Sequence, residues 1–258
     1  MNLTFSTVPA MFGTVHIIIL VIAAAITLRL FFAFRGMTER DLMIFLFVAG
    51  LLMIAAEVWK QWFVHKYVYP DIRSAWFFPW QLCSMAMYCC VAVPFLKGKA
   101  QDTVLVFMAT FGLIAAVFAL AVPGDMLRPQ VLLFCHSFAY HILMVQESLA
   151  CIVILSRRPR PSFKPVAIVY GCMAVVAEIL NVASHYWAGK DGMASNMFNI
   201  TPYWPTTQPV FHDIALKIGI IPEILLYTAV IALGAFILYW IEYGLMRVHV
   251  NRKGLHIR

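Results

Sequence analysis

Eight polar residues able to do acid–base, nucleophilic or hydrogen-bonding chemistry lie inside long apolar runs: Glu57, Cys83, His136, His141, Glu147, Glu178, Asn181 and Glu223. An ionisable group in such a place costs at least a few kcal/mol to bury, about 2.5–3.5 on insertion scales, and is by default a candidate functional residue. A cysteine and a histidine together suggest a nucleophile and its base, the chemistry of acyl transfer. Buried carboxylates suggest proton coupling instead. Two histidines and two glutamates would also suit a metal, but no HExxH-type spacing and no CxxC pair supports one. No metal and no cofactor is therefore expected. All six cysteines (Cys83, Cys89, Cys90, Cys135, Cys151 and Cys172) sit within apolar segments, so no secreted disulfide framework is read from them.

The elements that position these residues follow from composition. Of 258 residues, 63% are hydrophobic and 12% charged, and the mean hydropathy is +0.85. A soluble domain carries about 25% charged residues, so this chain could not cover its own surface in water. It is expected to be one all-α, multi-pass integral-membrane domain, residues 1–258. A β-barrel is excluded by the unbroken apolar runs, since barrel strands alternate. Seven spans can be drawn, at about 11–34, 41–64, 78–96, 103–122, 130–155, 165–185 and 222–245. One long loop, 186–221, is rich in Pro and aromatic residues and is expected to cap one face, with a short interfacial helix at 214–221 leading into Pro222. The N-terminus has neither a basic n-region nor a small-residue cleavage site, so no cleaved signal peptide is expected.

The net charge of +7 is a topology signal rather than a nucleic-acid signal. Thirteen Lys and Arg residues fall on one side of the spans and six on the other. The positive-inside rule then places the N-terminus outside and the C-terminus in the cytoplasm, in a plasma or inner membrane if the source is bacterial. At 1.5 Å per residue, Glu57, Cys83, His136, Glu178, Asn181 and Glu223 fall in the outer half of the bilayer. His141 lies nearer its middle and Glu147 deeper still. Glu178, Asn181 and His185 form one stripe, and Glu57 shares a face with Gln61. On the fifth span His136, Tyr140 and Glu147 share a face, about 140° from that of Ser137, His141 and Ser148. On the third, Gln81, Ser84 and Tyr88 make a polar stripe from which a regular helix would turn Cys83 away, unless an irregular start at Pro79 rotates it.

Each residue has an ordinary alternative. Buried helix cysteines are mostly inert packing, span histidines usually bond a neighbour, and span glutamates are usually paired. Cys83 stands out because Phe78-Pro79-Trp80-Gln81 reads as a helix start, placing the thiol in the second turn, near the positive end of the helix dipole. Three function classes remain open on physical grounds: a Cys–His enzyme acting on a lipid or acyl group, a proton- or solute-coupled transporter, and a non-catalytic scaffold. A transporter would favour inverted repeats and broken helices in both halves, which the sequence does not show.

The segments Ala55-Ala56-Glu57, Pro79-Trp80-Gln81-Leu82-Cys83-Ser84 and Phe134-Cys135-His136-Ser137-Phe138-Ala139-Tyr140-His141, then Asn181, then Ser195-Asn196-Met197-Phe198, resemble in order and spacing the YwaF-like, transmembrane-protein-164 family. The resemblance implies a membrane acyltransferase that moves acyl chains between phospholipid and lysophospholipid through a thioester, with Cys83 as nucleophile and His141 as its partner. Glu57, Asn181 and Asn196 match further family positions. With Gln81, Ser84 and Glu178 they are expected to line a polar cavity, and Asn181, Gln81 and Ser84 are candidate oxyanion donors. The chain departs from the family at Gln81, where histidine is common, at Thr201-Pro202-Tyr203-Trp204-Pro205, and at His136, which has no family counterpart. His136 matches Cys83 in depth better than His141 does and is the reserve base. Membrane lipids are the expected partners, and nucleic acid is not.

Overall fold

A computed structural model of the chain describes residues 3–70, 72, 78–189 and 192–254, without the side chains of 245–254. Of the residues used to orient the chain, Arg73, Lys190 and Arg258, and the side chains of Arg247, Arg252 and Lys253, lie outside that description, as does Asp191 of the long loop. Six helices are long and apolar enough to cross a bilayer. They are α1 (Thr14–Gly36), α2 (Glu39–Val68), α4 (Gly98–Ala121), α5 (Val131–Leu155), α6 (Lys164–Ala188) and the first part of α8 (Ile220–Gly254). Between them lie a shorter apolar helix, α3 (Leu82–Phe95), and an amphipathic one, α7 (Phe211–Ile218). The protein is an integral multi-pass membrane protein. No strand occurs among the described residues; Thr4 makes an isolated bridge to Gln130.

Three expectations need correction. The third span, expected at 78–96, is a helix only over Leu82–Phe95, too short by itself for a hydrocarbon core of about 30 Å. Its two ends are tied to neighbouring segments. Gln81 is extended (ψ 158°) and reaches the long loop, while the Val93 carbonyl accepts from Gln101 Nε2 at the other end (3.0 Å). The helix opens with a tight 3-10 turn, Leu82–Ser84, so Cys83 lies in the first turn rather than the second. The interfacial helix expected at 214–221 begins earlier, at Phe211, and stops at Gly219, whose φ of +93° breaks it from α8.

α4 and α5 form the centre, with 56% and 61% of their most apolar stretches buried, against 11% for α1 and α8, whose apolar surfaces face outward. α2 packs closely on α3: a Cβ on Gly50 would come within 2.9 Å of Cys90 Cβ and Val91 Cγ2, so only glycine permits this approach. α2 starts with a capping box, in which Asp41 N–H donates to Thr38 Oγ1 and Thr38 N–H to Asp41 Oδ2. A π-turn, Met108–Gly112, interrupts α4 and packs against the first turn of α3.

Helix ends that meet at one face are tied by consecutive arginines. Arg157 donates to the carbonyls of Phe34, Arg35 and Met37. Arg158 pairs with Glu39 and with Asp102 (2.6 Å), and donates to Gln101. With Arg35, Arg40, Lys97, Lys99 and Lys164 nearby in sequence, this is the basic face. Loss of the Arg158 fork is expected to cost about 1–2 kcal/mol, an intermediate value because its partners are partly hydrated. Arg158→Ala should therefore lower the apparent Tm in detergent by about 3–6 °C, and Arg158→Lys should restore less than half of that. An unchanged Tm for Arg158→Ala would show that the network contributes nothing.

Candidate functional site around Cys83

The segment before Cys83 is held from three directions. Trp80 Nε1 donates to the Met173 carbonyl of α6 (3.3 Å). Gln81 Nε2 donates to the Asn196 carbonyl (2.9 Å), and Gln81 Oε1 accepts from Phe198 N–H (2.9 Å). Tyr88 Oη donates to the Pro79 carbonyl (3.1 Å). The extended Gln81 followed by a 3-10 turn gives Cys83 an orientation that a regular helical wheel does not. The thiol is free and half-buried, against the core formed around α4 and α5. Ser84 beside it is buried.

α2 brings an ion pair to the same region. Glu57 is 5% exposed, and Lys60 Nζ lies 2.7 Å from its Oε2 while Gln61 Nε2 donates to its Oε1 (2.7 Å). Glu57 and Gln61 share a face as the sequence predicts, and Lys60 completes the set. α2 and α5 meet through Trp59 and His136, whose ring centroids lie 5.7 Å apart, while among the described residues no hydrogen bond joins Cys83 to either histidine.

The two histidines differ in how they are held. His141 Nδ1 lies 2.8 Å from the Ser137 carbonyl. A carbonyl only accepts, so Nδ1 carries the proton and Nε2 keeps its lone pair. Both nitrogens of His136 are buried without a hydrogen-bond partner, and its ring lies between Trp59 (5.7 Å) and Tyr140 (5.8 Å). The Tyr140 hydroxyl is likewise buried and unpartnered. His136, Tyr140 and Glu147 do lie along one face of α5, and Glu147 is completely buried, with both oxygens unpartnered.

Asn181 and Asn196, expected along the cavity, are spent on the long loop. Asn181 Oδ1 accepts from Met197 N–H (2.5 Å) and Ser195 Oγ (3.1 Å), and its Nδ2 donates to the Met197 carbonyl (3.1 Å). Asn196 Oδ1 accepts from Thr201 N–H (3.0 Å). The middle of the loop is therefore not a surface cap. Ser195 to Phe198 are buried, and the Phe198 ring stacks on Tyr170, which stacks on Phe111 of α4. Phe198 and Asn199 have φ of +57° and +60°, a strained conformation costing about 1–3 kcal/mol each. It is fixed by the hydrogen bonds from Gln81 and Asn181 on either side. The amides of Gln81 and Asn181 are thus committed to loop backbone, and Ser84 N–H donates to the Gln81 carbonyl (2.8 Å), which leaves the Leu82 and Cys83 N–H groups as the open first-turn donors of α3. Glu178, half-buried on α6, leaves Oε2 unpartnered, and Glu223 is 1% exposed with both oxygens unpartnered.

A buried histidine and a buried glutamate escape the sequence reading. His16 is completely buried: its Nδ1 accepts from Phe12 N–H and its Nε2 donates to the Leu120 carbonyl (2.9 Å), fastening α1 to the end of α4. Glu242 lies late in α8, 7% exposed, with Oε1 unpartnered. Both fall near the ends of their spans, where a polar residue reads as ordinary interface; the spacing of Glu242 three and seven residues after Tyr239 and Ala235, both buried, is the helical signal that marks it as inward-facing.

Among the described residues no group of three or more His, Cys, Asp or Glu side chains is placed to hold a metal ion. No curated protein and no solved structure matches the chain. The sequence profile of the TMEM164 family matches residues 11–240, which include every residue of the site described above, and the chain belongs to that family.

Proposed function

We propose that the protein transfers acyl chains between glycerophospholipids, or hydrolyses them, with Cys83 as nucleophile and His141 as its base, and with the basic face toward the cytoplasm. The observation that carries the assignment of the base is the hydrogen bond from His141 Nδ1 to Ser137. It leaves Nε2 as the proton acceptor, whereas His136 has neither nitrogen fixed.

The chemistry balances as follows. His141 Nε2 takes the Cys83 thiol proton, and the thiolate attacks the ester carbonyl carbon. The new C–S bond forms, the C–O bond breaks, and His141 returns its proton to the departing alkoxide, releasing lysophospholipid. The hydroxyl of a second lysophospholipid then gives its proton to His141 and attacks the thioester; the C–S bond breaks and the thiol is reprotonated. Water in place of the second lysophospholipid yields a fatty acid. The Leu82 and Cys83 N–H groups in the first turn of α3 supply the oxyanion donors.

The test is turnover of labelled phospholipid and lysophospholipid by the purified protein in micelles. His141→Ala is expected to lower the rate by about 10²–10⁴-fold, the range for a lost general base, and His136→Ala by less than about tenfold. The reverse order would make His136 the base. A proton-coupled transporter would instead lose uptake in proteoliposomes on Glu57→Gln or Glu178→Gln and be indifferent to Cys83. Glu57 is paired with Lys60 at 2.7 Å within the same helix. A scaffold would tolerate all of these changes and co-purify with a partner.

A further inference from the structure

The basic face holds a second pocket, far along the bundle from Cys83. It encloses about 260 Å³ between the end of α5, the segment after it and the late part of α8. Its polar lining comes from Arg158, Arg160, Tyr239, Glu242 and Tyr243.

These groups are arranged unusually. Arg158 is already neutralised by Glu39 and Asp102. Arg160 is not. Its Nε donates to the Tyr239 hydroxyl (2.6 Å), which in turn donates to the Pro161 carbonyl (2.6 Å). Its guanidinium carbon lies 3.6 Å from the Trp240 ring centroid, 4.3 Å from Tyr243 and 4.6 Å from Tyr239. Three rings and one hydroxyl therefore fix the plane of the guanidinium, leaving its two terminal nitrogens with no acceptor among the described residues. On the same pocket Glu242 is more than nine-tenths buried, and its Oε1 has no hydrogen-bond partner. No ion pair joins Glu242 to Arg158 or Arg160 among the described residues. A carboxyl group with one buried, unpartnered oxygen and a rigid guanidinium thus share one small pocket without pairing with each other.

A lone anion would satisfy Arg160 and leave the Glu242 oxygen without a donor; a lone cation would meet the opposite shortfall. A ligand carrying both charges a few bonds apart satisfies both. We propose that this pocket binds a zwitterionic headgroup, its phosphate on the terminal nitrogens of Arg160 and its ammonium on Glu242. Glu242 lies at the end of the apolar part of α8, about 33 Å from its start at 1.5 Å per residue, which is headgroup depth for a helix entering from the other face. Phe236, Ile237 and Ile241 of that helix are exposed and apolar, a surface along which acyl chains can lie. The same headgroup chemistry exists free in water as phosphoethanolamine.

The test reads binding, not turnover, so its outcome is independent of the acyl-transfer reading. Full-length protein in neutral sugar-detergent micelles is titrated with dihexanoyl phosphatidylethanolamine or dihexanoyl phosphatidylglycerol, following Tm and bound lipid by native mass spectrometry. The ethanolamine lipid should bind about tenfold or more tightly than the glycerol lipid. Glu242→Gln, nearly isosteric, should shrink that preference to less than about threefold, and Arg160→Gln should weaken both lipids. Competition by free phosphoethanolamine at concentrations equal to the lipid's would assign the headgroup alone as ligand; failure to compete, with the lipid preference intact, would assign the lipid. Equal binding of the two lipids by the unaltered protein overturns the proposal even if Glu242→Gln fails to fold, and so does a Glu242→Gln variant that keeps the full preference.

Discussion

Replacing Cys83 with alanine is expected to lower phospholipid turnover by about 10⁴-fold or more, the scale on which loss of a covalent nucleophile is felt. The change should leave the fold intact. Cys83 is half-buried and makes no hydrogen bond that holds another segment, while its neighbours are held through Trp80, Gln81 and Tyr88. The Tm of Cys83→Ala should therefore stay close to that of the unaltered protein. Cys83→Ser should fare little better than alanine, because a hydroxyl is a far weaker nucleophile at the same place. A thiol-reactive lipid-like probe should label the unaltered protein at Cys83 and not Cys89, Cys90 or Cys151, which are buried. Full turnover by Cys83→Ala would end the thioester mechanism outright, whatever the histidines do.

Asn181→Ala is expected to give the largest loss of stability of any single polar substitution in the molecule. Asn181 is completely buried, and its side chain satisfies the Met197 N–H, the Met197 carbonyl and the Ser195 hydroxyl at once. Truncation leaves those groups in a dry interior. At about 1–3 kcal/mol for each unsatisfied group, with Ser195 still bonded to Ser184, the cost is about 3–5 kcal/mol. The strained Phe198 and Asn199 then lose one of their two clamps, and the loop is left to Gln81 and to the Ser184–Ser195 bonds. Thermal unfolding in detergent should shift down by well over 5 °C, and turnover should fall with it because Gln81 lies two residues before Cys83. Asn181→Asp should not rescue, since it keeps the acceptor for Met197 N–H but sets a carboxylate against the Met197 carbonyl. A normal Tm for Asn181→Ala would mean that the loop is not held in this way.

The membrane-spanning helices were legible because apolar runs of this length have one physical use. Their ends were legible within a few residues because Gly, Pro and charge clusters stop apolar helices. The start of α3 was not, since the wheel argument assumes 3.6 residues per turn and Leu82–Ser84 follow a 3-10 geometry set by contacts with α6 and the long loop. The loop was misread for a related reason. Its Pro and aromatic content suits an interface as well as an interior, and only the pairing with Asn181, 16 residues earlier than Met197, pulls it inward. Residue type correctly singled out Asn181 and Gln81 as unusual, but type alone does not say whether an amide faces a substrate or a backbone. Lys60 was used only as a topology marker; that it reaches back one turn to Glu57 depends on a side-chain rotamer, which no sequence pattern states.

The arginine ties on the basic face also bear on the order in which the protein is made. Every partner of Arg157 and Arg158 precedes them in the chain: the end of α1, the start of α2 and the start of α4. When synthesis reaches residue 158, α5 is complete and all of those partners are already in the membrane. The first five helices can then latch into a closed unit before α6 emerges, in keeping with the tendency of chains to fold from the N-terminus during synthesis. α6, the loop and α8 add afterwards, and Trp80, Gln81 and Arg160 dock them onto a unit that already contains Cys83 and both histidines. The late-arriving third of the chain is thus a clasp over a site assembled earlier.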